Sequence, residues 1–369
     1  MRGMGLLRKR GQEERSKAAA EGGNGIPAPR PVETGSSTDV VKSGDREEDF
    51  LTPAASPMLE TEAADDGADP TAQGTEALLS AGSSVARAED STDGSGLPTH
   101  SWASIPADNF PLRVGPNYGR NRRKEPSGPS LYELIGMDYF KSERRLGRLA
   151  ERLGFPEVAV PSGHPSVPSL FIINVQLPAE MPSLLKGDMD GPTRHVLFYL
   201  GITEETARQL ESPEAADPAV RLLIDYCTHA ETNENMRSRF KAMAFLNDIG
   251  SLDLPGFITS YNGKPILITK SGSITRGGAG GGAPSYLEMD INVRCWSFLA
   301  KKGLHFLRPR FQELGVHVAF TVEGRADSEL PERVLGCAAV HKLLEGSAVH
   351  LPPAAEAAAA AGGAAGKRA

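Results

Sequence analysis

Leu287-Glu-Met-Asp-Ile-Asn-Val-Arg294 alternates without a break, apolar at every odd position and polar at every even one. Val316-His-Val-Ala-Phe-Thr-Val-Glu323 carries its large apolar residues at the even positions. A period of two reads as a β-strand with one buried and one wet face, the pattern of antiparallel sheets. Working outward, Phe171–Leu177, His195–Leu200 and Phe240–Leu246 are more uniformly apolar and read as central strands, and Gly336–Leu343 as a last one. Asn262-Gly263, between Phe257–Tyr261 and Lys264–Thr269, has the composition of a type I′ hairpin turn. The expectation is seven or eight strands.

Helix signals are fewer. Ser142 reads as the cap of a helix in which Leu146, Leu149 and Leu153 share a face, closed by Gly154 and Pro156. Thr203 caps a short helix before Pro213, and Asp217-Pro218 opens another through Tyr226, with proline at the first helical position. The longest runs from about Cys295 to Glu313. Its wheel places Trp296, Leu299, Gly303, Leu304, Phe306 and Phe311 on one side and Lys301, Lys302, His305 and Arg308 on the other, with Pro309 kinking the last turn. Runs of strands punctuated by few helices give an α+β fold. The expected form is a curved antiparallel sheet of about seven strands with the long amphipathic helix packed on it, a helix-grip-like arrangement.

Composition sets the borders. Residues 33–93 hold 15 acidic and 3 basic side chains, no Trp or Tyr, and one Phe. Such a stretch buries too little apolar surface to offset the entropy of ordering it. Residues 1–32 carry a net charge of +4 and 33–93 one of −12, so the whole-chain −7 leaves +1 for residues 94–369. A nearly neutral folded part argues against a nucleic-acid partner. The expected organisation is a disordered arm over 1–98, one domain over 99–351 and a disordered Ala/Gly tail over 352–369. Cys227, Cys295 and Cys337 form no CxxC pair, which suits buried thiols in a reducing compartment. No run of about 18 apolar residues marks a membrane span. The apolar run Gly5-Leu-Leu7 is too short for a signal-peptide core, and position 2 is Arg, which excludes myristoylation. A cytoplasmic protein, peripheral at membranes at most, is expected.

Chemistry-bearing motifs are scarce. The glycine-rich Arg276–Pro284 lacks the Lys-Ser/Thr of a phosphate-cradling loop and reads as a hairpin loop. The eight histidines include no HExxH and no zinc-spaced cluster, and His305 and His317 read as surface residues. Glu288 and Asp290 share one strand face about 7 Å apart, a spacing for acid–base work or a metal, although two solvated side chains of a half-exposed strand are the commoner case. No catalytic residue, metal or cofactor is therefore expected. Arg120, Arg122, Arg123 and Lys124 crowd five positions; as headgroup contacts they contribute ~1 kcal/mol each near an anionic membrane, and as a solvated loop nothing.

A set of short stretches carries a resemblance. They are Trp102-Ala-Ser, Arg113-Val-Gly-Pro-Asn-Tyr118, Met137-Asp-Tyr-Phe-Lys-Ser142, Asn235-Met-Arg-Ser-Arg-Phe-Lys241, Tyr286-Leu-Glu-Met-Asp-Ile291 and Glu329-Leu-Pro-Glu-Arg-Val-Leu-Gly336. In this order, across about Ser101 to Leu344, the chain resembles the C-terminal domain family of the plant "enhanced disease resistance 2" protein. The resemblance implies a regulatory domain, in a protein that acts at membranes as a negative regulator of defence and cell death. There a pleckstrin-homology domain and a START lipid-transfer domain precede it; neither is expected in the first hundred residues here, so phosphoinositide binding is not carried over. No catalytic residues come with it. Gly277–Gly282, the Pro161–Pro168 loop and Cys337-Ala-Ala depart from the family pattern.

Two expectations follow. In one, the sheet's apolar face and the long helix enclose a space for a lipid or other apolar ligand, with Trp296, Leu299, Gly303 and Phe306 at the ligand. Arg122, Arg123, Lys124, Lys301 and Lys302 then face anionic headgroups. In the other, the core is filled and the domain is a protein–protein interaction module.

Overall fold

The computed structural model describes residues 79–90, 93–183, 189–246, 249, 254–259, 262–278 and 284–351. Residues 1–78 of the expected arm and the expected tail over 352–369 lie outside them. Strands and helices are numbered along the chain. One six-stranded sheet has the order β11-β10-β14-β15-β3-β2. Its strands are β11 (Ile266–Leu267), β10 (Phe240–Leu246), β14 (Gly315–Val322), β15 (Val334–His341), β3 (Ser101–Ala103) and β2 (Ala86–Arg87). A second has the order β12-β13-β8-β9-β6-β16. It comprises β12 (Gly272–Gly277), β13 (Tyr286–Asn292), β8 (Leu170–Pro178), β9 (Thr193–Ile202), β6 (Tyr132–Ser142) and β16 (Val349–His350). The single antiparallel sheet expected from the alternation is thus two mixed sheets. β13 runs parallel to β8, β16 to β6 and β2 to β3. Alternation reports which face a side chain takes and says nothing of strand direction.

The two sheets pack face to face. Phe171 of β8 stacks on Phe240 of β10 with centroids 6.0 Å apart, and Phe198 of β9 meets Phe320 of β14 edge-on at 5.3 Å. Three helices enter between β9 and β10: α2 (Glu204–Leu210), α3 (Pro218–His229) and α4 (Glu234–Arg237). Thr203 caps α2 through its side chain and Pro218 opens α3, as expected. Val220, Leu223 and Tyr226 of α3 are buried in the core with Phe240 and Phe171, so this helix plugs one end of the sandwich. α6 (Phe298–Leu307) closes the other. No helix among the described residues is long and apolar enough to cross a membrane.

The outer faces are covered too, which corrects several expectations. The segment expected as a helix after Ser142 holds only one 3₁₀ turn, Leu149–Glu151, and β7 (Leu153–Gly154), which pairs with β1 (Leu79–Ser80). Its backbone is drawn onto the second sheet's outer face, where Gly147 approaches so closely that a Cβ there would lie 2.6 Å from Asp290 Oδ2. Residues 79–90 and 93–98, expected within the arm, are packed as well. Gly82, Ser83 and Ser84 donate their N–H groups to the buried Asp138 carboxylate at 2.6, 3.1 and 2.8 Å, and Val85 is buried. The border at 98/99 therefore falls inside the packed structure. His317 points into this cover, with Nε2 3.0 Å from the Asp93 carbonyl, and is buried, not a surface residue.

Asn262-Gly263 makes a turn but no hairpin of its own. Residues Gly256–Thr259 form α5, and Asn262 instead pins Leu246 at the end of β10 from both its amide atoms. The glycine-rich stretch does connect a hairpin, β12 to β13, although residues 279–283 lie outside the described ones. The basic cluster spans the short helix α1 (Tyr118–Asn121) and β5 (Lys124–Pro126), which pairs with β4 (Pro111–Arg113).

Candidate functional site

At the α6 end the sandwich is hollow. A cavity of about 280 Å³ lies between the sheets, with α6 as its third wall. Val175 and Leu177 of β8 and Val196 and Phe198 of β9 face it from the second sheet; Val316 and Val318 of β14 face it from the first. Small residues help to leave the space: Ala242 and Ala244, two apart on β10, line it together with Ala300 and Gly303 of α6. Four larger side chains there would fill it at ordinary interior packing density.

α6 is held by its sequence. The Ser297 hydroxyl accepts the Ala300 N–H, Trp296 donates its indole N–H to Ser271 Oγ at 3.1 Å, and Pro309 follows the last helical turn. The helix is shorter than the expected Cys295–Glu313, because residues on either side adopt 3₁₀ turns. Trp296, Leu299 and Gly303 line the cavity. Phe306 does not: it is 44% exposed on the outer flank, where Leu299, at the cavity's mouth, is 40% exposed.

The expected headgroup cations are not gathered round that mouth. Arg122 caps α1 in a left-handed conformation and lies over the Tyr118 ring at 5.8 Å; Arg123 pairs with Glu125; Lys124 borders a small recess with Arg113, Lys241 and Glu332. Lys301 donates from Nζ to the Arg294 carbonyl at 3.1 Å, while Lys302 is exposed. The cations that do line the cavity are Lys264 and Lys342, and sequence reasoning missed both. The signals lay in backbone geometry: Lys264 follows the turn that Gly263 docks on the Ala244 carbonyl, and Lys342 sits at φ +51° just past β15. The rest of the described lining offers no carboxylate, hydroxyl, thiol or imidazole.

Glu288 and Asp290, expected on a wet face, are buried beneath the 143–154 segment. Glu288 accepts the Leu149 and Ala150 N–H groups at 2.9 and 2.8 Å; Asp290 accepts from Arg148 N at 3.2 Å, Asn174 Nδ2 at 2.6 Å and Gln176 Nε2 at 3.0 Å. His195 joins through Asn174 Oδ1 and Ser142 Oγ. Burial, then the neighbouring Asp290 charge, pushes the Glu288 carboxyl up to about 8. Arg148, Leu149 and Ala150 tie the covering segment to the sheet, while Asn174, Gln176 and His195 link neighbouring strands beneath it, so the cluster is a fastener. Among the described residues no three His, Cys, Asp or Glu side chains are placed to hold a metal ion.

An Arabidopsis thaliana relative, "Protein ENHANCED DISEASE RESISTANCE 2-like", is 26% identical over 251 residues, covering 67% of this chain and 29% of the relative. The chain thus spans under a third of that relative's length. No solved structure matches. The family described as "Protein ENHANCED DISEASE RESISTANCE 2, C-terminal" matches residues 102–343, which takes in α6, every residue lining the cavity and the two sheets apart from the edge strands β2 and β16 and the first residue of β3, and the chain belongs to that family.

Proposed function

We propose that the domain is a non-enzymatic regulatory module that takes a lipid or other apolar ligand into the cavity beneath α6. The observation that carries this is the hollow itself. Apolar side chains on three walls lose dispersion contacts across an empty space, and an apolar guest restores them while leaving water. Ligand pockets run upward from ≈ 300 Å³; at about 280 Å³ this cavity falls just below that lower bound. The regulatory part of the reading draws on the family and on its name, disease resistance. The non-enzymatic part draws on a lining that, apart from Lys264 and Lys342, holds no acid, base or nucleophile among the described residues. The exposed Leu299 and Phe306 beside Lys302 extend the reading to peripheral contact with a membrane.

The same two exposed side chains favour a second reading, a protein partner docked on the outer flank of α6. Filling the cavity separates the two. In Ala242→Leu/Ala300→Leu, solvent-extracted lipid seen by mass spectrometry should vanish and binding of a fluorescent apolar probe should fall at least tenfold, with the melting temperature kept. Phe306→Ser should leave both unchanged. Equal lipid content in the filled and parent proteins, or none in either with no probe binding, would remove the ligand reading and leave the docking flank.

A further inference from the structure

We propose that His100 is a proton-operated latch: its neutral imidazole holds a strap, residues 79–90 and 93–98, on the domain, and a second proton on the ring releases it. The proposal concerns the strap alone and stands whether or not the cavity takes a ligand.

Imidazoles hold the strap at three carbonyls. His100 donates from Nε2 to Ser84 at 3.0 Å, His317 from Nε2 to Asp93 at 3.0 Å, and His341 from Nδ1 to Pro98 at 3.1 Å. A protonated ring still donates, so charge by itself breaks none of these bonds. His100 differs at its other nitrogen, where Nδ1 accepts the Leu344 N–H at 3.1 Å. With Nε2 bound to donate and Nδ1 bound to accept, the ring fits as the neutral Nε2–H tautomer alone. A proton on Nδ1 would set donor against donor in a half-buried place.

The backbone fixes the ring there. His100 sits at φ +59°, a left-handed conformation that residues other than glycine seldom adopt. Its N–H donates to the Lys342 carbonyl at 3.0 Å, and its own carbonyl accepts the Ala86 N–H at 3.3 Å. The residue thus joins the strap, the start of β3 and the stretch after β15. The carboxylates close by are already engaged. Tyr139 of β6 faces the ring with centroids 6.4 Å apart and donates its hydroxyl to Glu345 at 2.7 Å, and Glu345 pairs with Arg194. Asp138, which Ser84 also touches, accepts the Gly82, Ser83 and Ser84 N–H groups. Lys342, and Arg87 of β2, are cations. Burial lowers the imidazole against the opposing pull of the Ser84 carbonyl. The closed strap therefore prefers the neutral ring, so the latch holds above the ordinary value of 6.5 and weakens as pH falls below it.

Hydrogen exchange of the full chain, followed by mass spectrometry at pH 7.5 and 5.0 and corrected for the intrinsic rate at each, tests this. Protection in the peptide over 79–90 should fall several-fold at pH 5.0. The ceiling is about thirtyfold, the charged-to-neutral ratio there of an imidazole with the ordinary value. β8 and β9 should stay better protected than the strap at both pH values. His100→Asn carries no charge and tolerates the left-handed backbone; it should show the open level at both. His317→Gln should keep the parent's response. Strap protection indifferent to pH, a strap and β8–β9 equally protected at pH 5.0, or a response kept by His100→Asn or lost in His317→Gln would overturn the latch.

Discussion

Glu288 shows how a residue's role turns on what covers it. Its carboxyl is held up to about 8, chiefly by burial and then by Asp290, against the pull of two backbone N–H donors. A carboxyl raised in the folded state is protonated there when the unfolded chain has already lost its proton, so stability falls as pH rises from the ordinary carboxylate value to the raised one. His195 works in the other direction. Burial first, then Arg145, Arg152 and Arg194, lowers it to about 3, so its contribution is lost as pH falls below 6.5. His100, His164 and His317 are lowered too and act the same way. Between pH 6.5 and 8 the Glu288–Asp290 pair, both carboxyls raised first by burial, therefore leads. Urea unfolding should lose up to about 2 kcal/mol across that window in the parent, and Glu288→Gln should flatten the loss. A parent protein equally stable at both pH values would contradict the shared-charge picture of this pair.

At the scale of the element, α6 is the part most legible beforehand and also the part whose length was overread. The apolar stripe through Trp296, Leu299, Gly303 and Leu304 correctly identified the side facing the interior. The wheel could not distinguish Leu304, inside, from Phe306, outside, because a stripe spans more arc than a narrow cavity wall admits. Strand positions were legible for the same reason as α6: a period of two or 3.6 survives in the sequence whatever packs on it. The covers of the outer faces were not, since Gly82-Ser-Ser84 and Gly147 act through backbone N–H groups and close approach, which leave no apolar period. Hence Glu288, Asp290 and His317 were all expected in water. The cap offers a measurable handle on α6. Ser297→Ala should cost ~1 kcal/mol, and because α6 is a cavity wall it should also speed amide exchange at Ala300 and Lys301. An unchanged exchange rate at both amides would mean that packing alone sets the helix.

Across the whole molecule, the two sheets depend on a strap that composition assigned to the arm. Residues 79–90 and 93–103 include β1, beside the second sheet's cover, and β2 and β3 at the edge of the first. Midway, the buried Asp138 of β6 collects three consecutive N–H groups, and the Ser84 hydroxyl accepts the Tyr139 N–H at 2.9 Å in return. An acidic, glycine- and serine-rich window reads as disordered on average because its charges and small residues are counted, whereas one buried Val85 and one carboxylate in the body of the domain suffice to seat it. Leaving three donors without an acceptor costs ≈ 1–3 kcal/mol apiece if they stay buried, and partial release to water brings the sum for Asp138→Ala to ~3 kcal/mol. Removing residues 1–78 should leave the melting temperature within a degree or two of the parent, because the strap contacts described above all lie within residues 79–351. Removing 1–98 should lower it further than Asp138→Ala does, since the β1–β7 and β2–β3 pairings and buried Val85 go as well. The two changes should not add when combined, since both remove the Asp138 bonds. Additive losses, or an Asp138→Ala variant within about 0.5 kcal/mol of the parent, would show that the sheets hold together without the strap.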